Sequence, residues 1–167
     1  SESQAKKIVN TLNIRKGSTV ADLGAGGGYF SILLAKTISN SGTVYAVDVS
    51  QTCLSYIKRY AKKQRVTNIK LIHASSESSN LPSKSIDIIF IRTTYHHLYN
   101  RITYFSKLKQ VLKPHGKIVI IDNKPGTFHG HNIKEGIILN EMKQAGYKLH
   151  RRYTFLRKQS FNIFIVK

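Results

Sequence analysis

Tryptophan is absent from the 167-residue sequence, and cysteine and methionine occur once each. A single cysteine, Cys53, excludes an internal disulfide framework and a cysteine-rich zinc site. No apolar run approaches the roughly 18–20 residues that a membrane-spanning helix needs, so no membrane span is expected. The first residues lack a charged region followed by an apolar stretch, so no signal peptide is visible, and the expected location is cytoplasmic. Ser1 stands where a starting Met would be, which leaves open a leader removed before it. Internal repeats, low-complexity tracts and interdomain linkers are absent too. What is present is 41% hydrophobic residues, seven Phe and nine Tyr, which rules out a wholly disordered chain. The length suits one domain over residues 1–167.

Acids are also scarce: 8 Asp and Glu stand against 27 Lys and Arg, a net charge of +19. The basic residues number 5 in the first fifty positions, 8 in the next fifty and 14 in the rest. Compositional bias on a solvated surface accounts for many lysines and less readily for the missing acids. A polyanionic partner such as RNA or an acidic membrane face is the alternative. Lys58, Arg59, Lys62, Lys63 and Arg65 are its strongest support, and Lys58, Lys62 and Arg65 at i, i+4 and i+7 would share one helical face.

The four aspartates mark strand ends. Asp22 closes Thr19-Val20-Ala21, Asp48 closes Val44-Tyr45-Ala46-Val47 and Asp122 closes Ile118-Val119-Ile120-Ile121, while Asp87 lies at the opening of Ile86–Ile91. A fifth run, Ile69–Ile72, ends near His73. Continuous apolar strands suit a parallel sheet covered on both faces, and ligands of such a sheet bind beyond the strand carboxyl ends. Helical spacing predicts helices over Tyr29–Ile38, Thr52–Arg65, Arg101–Leu112 and Asn132–Ala145, the last capped by Gly146. Asn123–Gly130 reads as a loop. This alternation implies a doubly wound α/β sheet. Lys148–Leu156 and Phe161–Val166, joined at Arg157–Ser160, read as a closing antiparallel hairpin.

Between the first strand and its helix lies Asp22-Leu23-Gly24-Ala25-Gly26-Gly27-Gly28-Tyr29-Phe30. A dinucleotide fingerprint fails in every register, because from Gly24 its last glycine falls on Tyr29. A Walker loop lacks its Gly-Lys-Ser/Thr. An acid two residues before the first glycine repels a pyrophosphate and suits a cationic amino group. The segment resembles motif I of class I S-adenosylmethionine-dependent methyltransferases. Leu81-Pro82-x-x-Ser85-Ile86-Asp87 is similar to that family's lead into strand four. Leu112-Lys113-Pro114-His115-Gly116-Lys117 resembles its Leu-Lys-Pro-Gly-Gly segment, with His115 in place of a glycine.

The resemblance implies a Rossmann-like methyltransferase fold: a seven-stranded, mostly parallel sheet whose antiparallel Phe161–Val166 strand lies next to strand five. Apolar residues on both faces of that strand suit a central position, and Lys148, His150, Arg151 and Arg152 suit an edge. The implied cofactor is S-adenosyl-L-methionine. The resemblance implies cofactor binding by Asp22, Gly24, Gly26, Gly28, Tyr29, Phe30, Asp48, Val49, Ser75, Ser76 and Arg92, with Asp22 at the methionine end, Asp48 at the ribose and Ser75 and Ser76 beside the adenine. Arg92 would make the acceptor side basic, where such sequences often carry an acid near Thr93. Tyr95-His96-His97-Leu98, Gly130-His131 at the start of the late helix, Glu141-Met142-x-x-Ala145-Gly146-Tyr147 and Phe155-Leu156-x-x-Gln159-x-Phe161 are similar to a bacterial, small-molecule-type branch. Ubiquinone and menaquinone C-methyltransferases are its more distant relatives.

Methyl transfer needs alignment of a nucleophile with the methyl group, and a general base only where that nucleophile arrives protonated. The candidates are His96, His97, His131, Tyr95 and Asp122, with packing or helix capping as the alternative for the histidines and substrate binding or orientation as a role for Asp122. His129 and His131 with His96 and His97 could hold a metal, but no carboxylate or thiol spacing supports that, and none is expected. The expected reaction is in-line methyl transfer to a small-molecule acceptor, with RNA as the alternative. Against RNA, strand four lacks an Asn/Asp-Pro-Pro-Tyr/Phe loop, and Cys53 is misplaced for attack on a cytosine.

Overall fold

A computed structural model describes residues 1–167. The chain divides into two compact units, Ser1–Ser75 with Ser79–Leu81 and Ser76–Ser78 with Pro82–Lys167. The first unit runs α1 (Glu2–Thr11), β1 (Thr19–Leu23), α2 (Tyr29–Ile38), β2 (Thr43–Asp48), α3 (Gln51–Lys63) and β3 (Ile69–His73). β2 pairs in parallel with β1, Val20 opposite Val44, and with β3, Val44 opposite Ile69. Val20, Ala21, Val44, Ala46 and Val47 are fully buried, as a covered strand requires. Ala46 packs with Leu54 and Ile57 of α3, and full burial of such a side chain contributes roughly 1.5–3 kcal/mol. The Ser50 hydroxyl caps α3 by accepting the Cys53 N–H at 3.2 Å. α1 has no counterpart among the predicted elements. The Ser1 hydroxyl accepts the Gln4 N–H at its start, and α1 buries only Ala5, Ile8 and Val9.

The second unit runs β4 (Ile86–Arg92), a 3-10 turn at Tyr95–His97, α4 (Arg101–Leu108), β5 (Leu112–Asn123), α5 (Glu135–Gln144), β6 (Tyr147–Tyr153) and β7 (Gln159–Val166). β4 and β5 are parallel, and β7 lies antiparallel between β5 and β6, with Val119 opposite Ile163 and Leu149 opposite Phe164. The central place expected for Phe161–Val166 is therefore the observed one. β6 is the edge, and all of its residues from Lys148 to Arg152 are exposed. Its register shifts between Leu149 and Arg151, and charge and irregularity together discourage pairing with another chain. The seven strands are mostly parallel, as a Rossmann-like methyltransferase sheet requires, in the order β3-β2-β1 in the first unit and β4-β5-β7-β6 in the second. No helix is long and apolar enough to cross a membrane.

Several boundaries differ from expectation: the strand expected over Lys148–Leu156 ends at Tyr153, and β7 begins at Gln159, inside the turn expected at Arg157–Ser160. The helix predicted over Arg101–Leu112 ends at Leu108, because Leu112 pairs with Ile86 as the first residue of β5. The late helix begins at Glu135 rather than Asn132, and its cap position is Lys134, so His131 neither starts nor caps it. Gly146 follows the C-cap Ala145 at φ +94°, a conformation that favours glycine. Arg65 lies beyond α3 at φ +54°, so it does not extend the helical face of Lys58 and Lys62. All three side chains are exposed.

Candidate active site

In the first unit the glycine segment is tied to the end of β2. The Gly24 and Ala25 N–H groups both donate to the Val47 carbonyl, at 2.8 and 3.0 Å. The Gly26 N–H donates to Asp48 Oδ2 at 2.8 Å, and the Ser50 N–H donates to Oδ1 at 2.9 Å. Asp48 thus anchors the loop and the start of α3 together. A carboxylate offers about four lone-pair sites, so two of them are left for other donors. Gly28 turns the chain into α2 at φ +75°, where an added Cβ would lie 2.7 Å from Ile57 Cγ1. A Cβ at Gly26 or Gly27 would meet nothing within 4 Å, so the loop's backbone faces open space.

Asp22 is 3% exposed, and its Oδ2 accepts the Ser31 hydroxyl at 2.5 Å. Burial pushes the Asp22 carboxyl up to about 6, against the pull of Ser31 and with a further push from Asp48. A buried carboxylate held in that state attracts a cation. Tyr29 is 43% exposed beside Phe30, the two rings edge to face at 5.6 Å. Val49 and Ser75 are exposed, and the Val49 carbonyl meets His73 Nε2 at 3.0 Å. Cys53 is half-buried in α3.

In the second unit the end of β5 meets the 3-10 turn after β4. Asp122 is fully buried, and its carboxylate takes three N–H groups. Oδ1 accepts from His96 Nδ1 at 2.7 Å and from the Asn123 N–H at 2.7 Å, and Oδ2 accepts the His96 N–H at 3.1 Å. Asp122 thereby holds both the ring and the backbone of His96 in place. The His96 side chain is 6% exposed, and its Nε2 is buried without a hydrogen-bond partner. With Nδ1–H donating to Asp122, Nε2 carries the free lone pair.

The His97 and His131 rings lie close to the His96 ring. The His96 and His97 ring centroids are 4.0 Å apart, with His131 at 5.8 Å from the first and 5.3 Å from the second. Burial lowers the His97 imidazole's pKa, and neighbouring His96 and His131 lower it further against the opposing pull of Asp122. The backbone at His131 is held by Asn123, whose Nδ2 donates to the His131 carbonyl at 2.8 Å, and the Ile133 N–H returns to the Asn123 carbonyl at 3.0 Å.

Tyr95 is not part of this group. Its ring is wholly buried against Phe105, and its hydroxyl donates to Glu141 Oε2 at 2.7 Å. Arg101 grips both oxygens of Glu141, at 2.7 and 2.9 Å. Burial would raise the Glu141 carboxyl, but Arg101 and Tyr95 together hold it below its ordinary value. Burial pushes the Tyr95 hydroxyl far above its own, so this residue packs α4 and α5 rather than exchanging protons. Arg92 ends β4 half-buried, its Nη2 donating to Gln159 Oε1 at 3.1 Å. Ser76 is exposed. Of the four histidines that the sequence suggested could meet, His96, His97 and His131 come together; what the linear pattern did not show is that Asn123 holds the backbone of one of them.

A family model described as a methyltransferase domain matches residues 21–120. The chain belongs to this family. The family is that of the class I S-adenosylmethionine-dependent methyltransferases, and quinone methyltransferases are among the chain's distant relatives. The demethylmenaquinone methyltransferase of Geobacillus sp. (strain WCH70) is 28% identical over 119 residues, 71% of this chain and 51% of the relative. That of Listeria monocytogenes serovar 1/2a is 24% identical over 159 residues, 93% of this chain and 67% of the relative. The chain spans about half the length of the first curated relatives it matches. A SAM-dependent methyltransferase from Aquifex aeolicus superimposes with a TM-score of 0.91 at 24% identity, covering 98% of this chain and 89% of that one. A TehB-like methyltransferase from Corynebacterium glutamicum gives a TM-score of 0.76 at 16% identity over 98% and 88%. Family and fold imply use of S-adenosylmethionine. The methyltransferase's own residues fit it: carboxylates at Asp22 and Asp48 suit an ammonium and a pair of hydroxyls, and open space beside Gly26 and Gly27 admits a ligand close to the backbone.

Proposed function

We propose that this methyltransferase acts on a small molecule that arrives protonated at its acceptor atom, with His96 as the base. The observation that carries this reading is the buried Asp122–His96 pair with Nε2 left free. Asp122 fixes the imidazole's tautomer and stabilises its charge once it takes the acceptor's proton. When bound, S-adenosylmethionine supplies an electrophilic methyl group on a sulfonium. As the acceptor atom is methylated it would give up its proton, and His96 Nε2 would take it. The demethylmenaquinone methyltransferases among the relatives carry a small-molecule acceptor in their name, which supports the same class here.

In this reading Asp48 accepts the ribose hydroxyls while it holds the Gly26 N–H. Ser75 and Ser76 lie beside the adenine, and Arg92 serves the acceptor side. Asp48→Ala then removes ligand contacts and the loop's anchor at once. Calorimetry should show cofactor affinity lower by about 1–3 kcal/mol, the scale of lost charge-assisted hydrogen bonds. Unchanged affinity would remove Asp48 from the site.

The acceptor class is tested by incubating the chain with methyl-tritiated cofactor and either a metabolite extract or total RNA. Label is expected in an organic-extractable or small polar product of the extract. Label confined to RNA would overturn the reading and give the exposed Lys58, Arg59, Lys62 and Lys63 a role in holding a polyanion.

A further inference from the structure

We propose that His96, His97 and His131 form a binding site for one divalent transition-metal ion of the zinc class. Each offers one ring nitrogen, and the three lie within 4.8 Å of one another. Zinc–nitrogen bonds of about 2.0–2.1 Å in a tetrahedron put ligand nitrogens about 3.3 Å apart, so the cluster closes on an ion with a movement of roughly an ångström. His97 and His131 are exposed and free to make that movement by side-chain rotation.

The second observation is His96 itself. A buried imidazole nitrogen without a partner costs free energy, and His96 Nε2 is such a nitrogen in a side chain 94% buried. Its other nitrogen donates to the buried Asp122 carboxylate at 2.7 Å. That carboxylate–histidine relay holds a metal-binding imidazole in the required tautomer and raises its basicity. Asn123 extends the support by holding the His131 carbonyl at 2.8 Å, so two consecutive residues at the end of β5 brace two of the three ligands. Neutral imidazoles suit zinc, cobalt, nickel and copper over magnesium or calcium, which prefer oxygen. Three protein ligands leave a fourth position open, the arrangement of a site that binds a further molecule rather than a closed structural one.

The inference goes beyond the methyl-transfer reading and does not depend on it, because binding is read without cofactor or acceptor. It bears on that reading at one atom: the lone pair on His96 Nε2 holds either a metal or a proton, so metal and acceptor proton compete for it.

The test uses untagged full-length chain, stripped with chelator and titrated with Co2+ as a visible probe and with Zn2+ by calorimetry. One equivalent per chain is expected, with the intense visible absorption of four-coordinate Co2+. His97→Ala and His131→Ala, both surface changes, should each weaken binding more than tenfold. His129→Ala, two positions away in the same loop, should leave it unchanged. Asp122→Asn should weaken binding about 10–100-fold through the imidazole it orients. Absence of stoichiometric binding overturns the proposal. So does binding that survives in both histidine variants, or that His129→Ala weakens as much as they do.

Discussion

Asp22→Asn is expected to stabilise the folded chain by ~3 kcal/mol at pH 7, because the wild-type carboxyl sits buried with its pKa pushed from 3.8 to about 6. The folded state favours the neutral acid. Its stabilising effect is therefore complete below the unfolded value near 3.8 and is lost as pH rises through about 6. Asparagine cannot ionise, and its carbonyl still accepts the Ser31 hydroxyl. For a chain of this size the gain corresponds to roughly 6–12 °C in Tm at pH 7. Thermal scans between pH 4 and 8 should show the Tm of the wild type falling relative to that of the variant. Parallel curves would mean that Asp22 is not a destabilising ion in the fold. The same variant should bind S-adenosylmethionine about ten- to a hundredfold more weakly, since the cofactor's ammonium loses its attracting charge. In the wild type that attraction favours the ionised carboxyl, so cofactor binding near pH 6 should release a proton. Calorimetry in buffers of different ionisation enthalpy detects it. A residue that costs stability and aids binding is the pattern expected of a functional site.

His96→Ala should slow methyl transfer by about 10²–10⁴-fold, the range for a positioned general base, while cofactor affinity stays within about twofold. The assay uses chelator-treated protein, so that Nε2 carries only a proton. Added imidazole should restore part of the rate by entering the space left behind. A merely structural histidine would lower stability and cofactor affinity together and would not respond to imidazole. Asp122→Asn should slow the reaction as well, since one amide cannot accept N–H donors from both sides and its NH2 group would face a donor. Full activity in His96→Ala would remove the base from the mechanism.

Much of this arrangement was readable in the linear pattern where one force dominates. The α2 boundaries follow from glycines ahead of an apolar helical face, and the central place of β7 follows from apolar residues on both faces. Where two forces compete, the pattern misled. Leu112 stands at helical spacing from Leu108, yet pairing with Ile86 draws it into β5. α1 buries too few apolar residues to declare itself. His96 and Asp122, 26 positions apart, become a pair only because β4 and β5 run parallel and end side by side. His131 joins them through its carbonyl, which accepts from the Asn123 side-chain amide, and no periodicity records such a contact. Tyr95, adjacent to His96 in sequence, points the other way into the Phe105–Glu141 packing and leaves the site.

The insertion of β7 between β5 and β6 orders events during synthesis. β5 leaves the ribosome with one edge able to pair with β4, while its other edge must wait. Asn123 waits for Gln159, 36 residues on, and Lys117 waits for Ile165, 48 residues on. At about 5–20 residues per second that interval lasts roughly 2–10 s. Throughout it the apolar strand Ile118–Ile121 presents an open row of backbone donors and acceptors. The nascent chain is thus most open to wrong pairing late in its synthesis, and 14 of its 27 cationic residues lie beyond position 100. Mutual repulsion between neighbouring nascent copies would be strongest while that edge is bare.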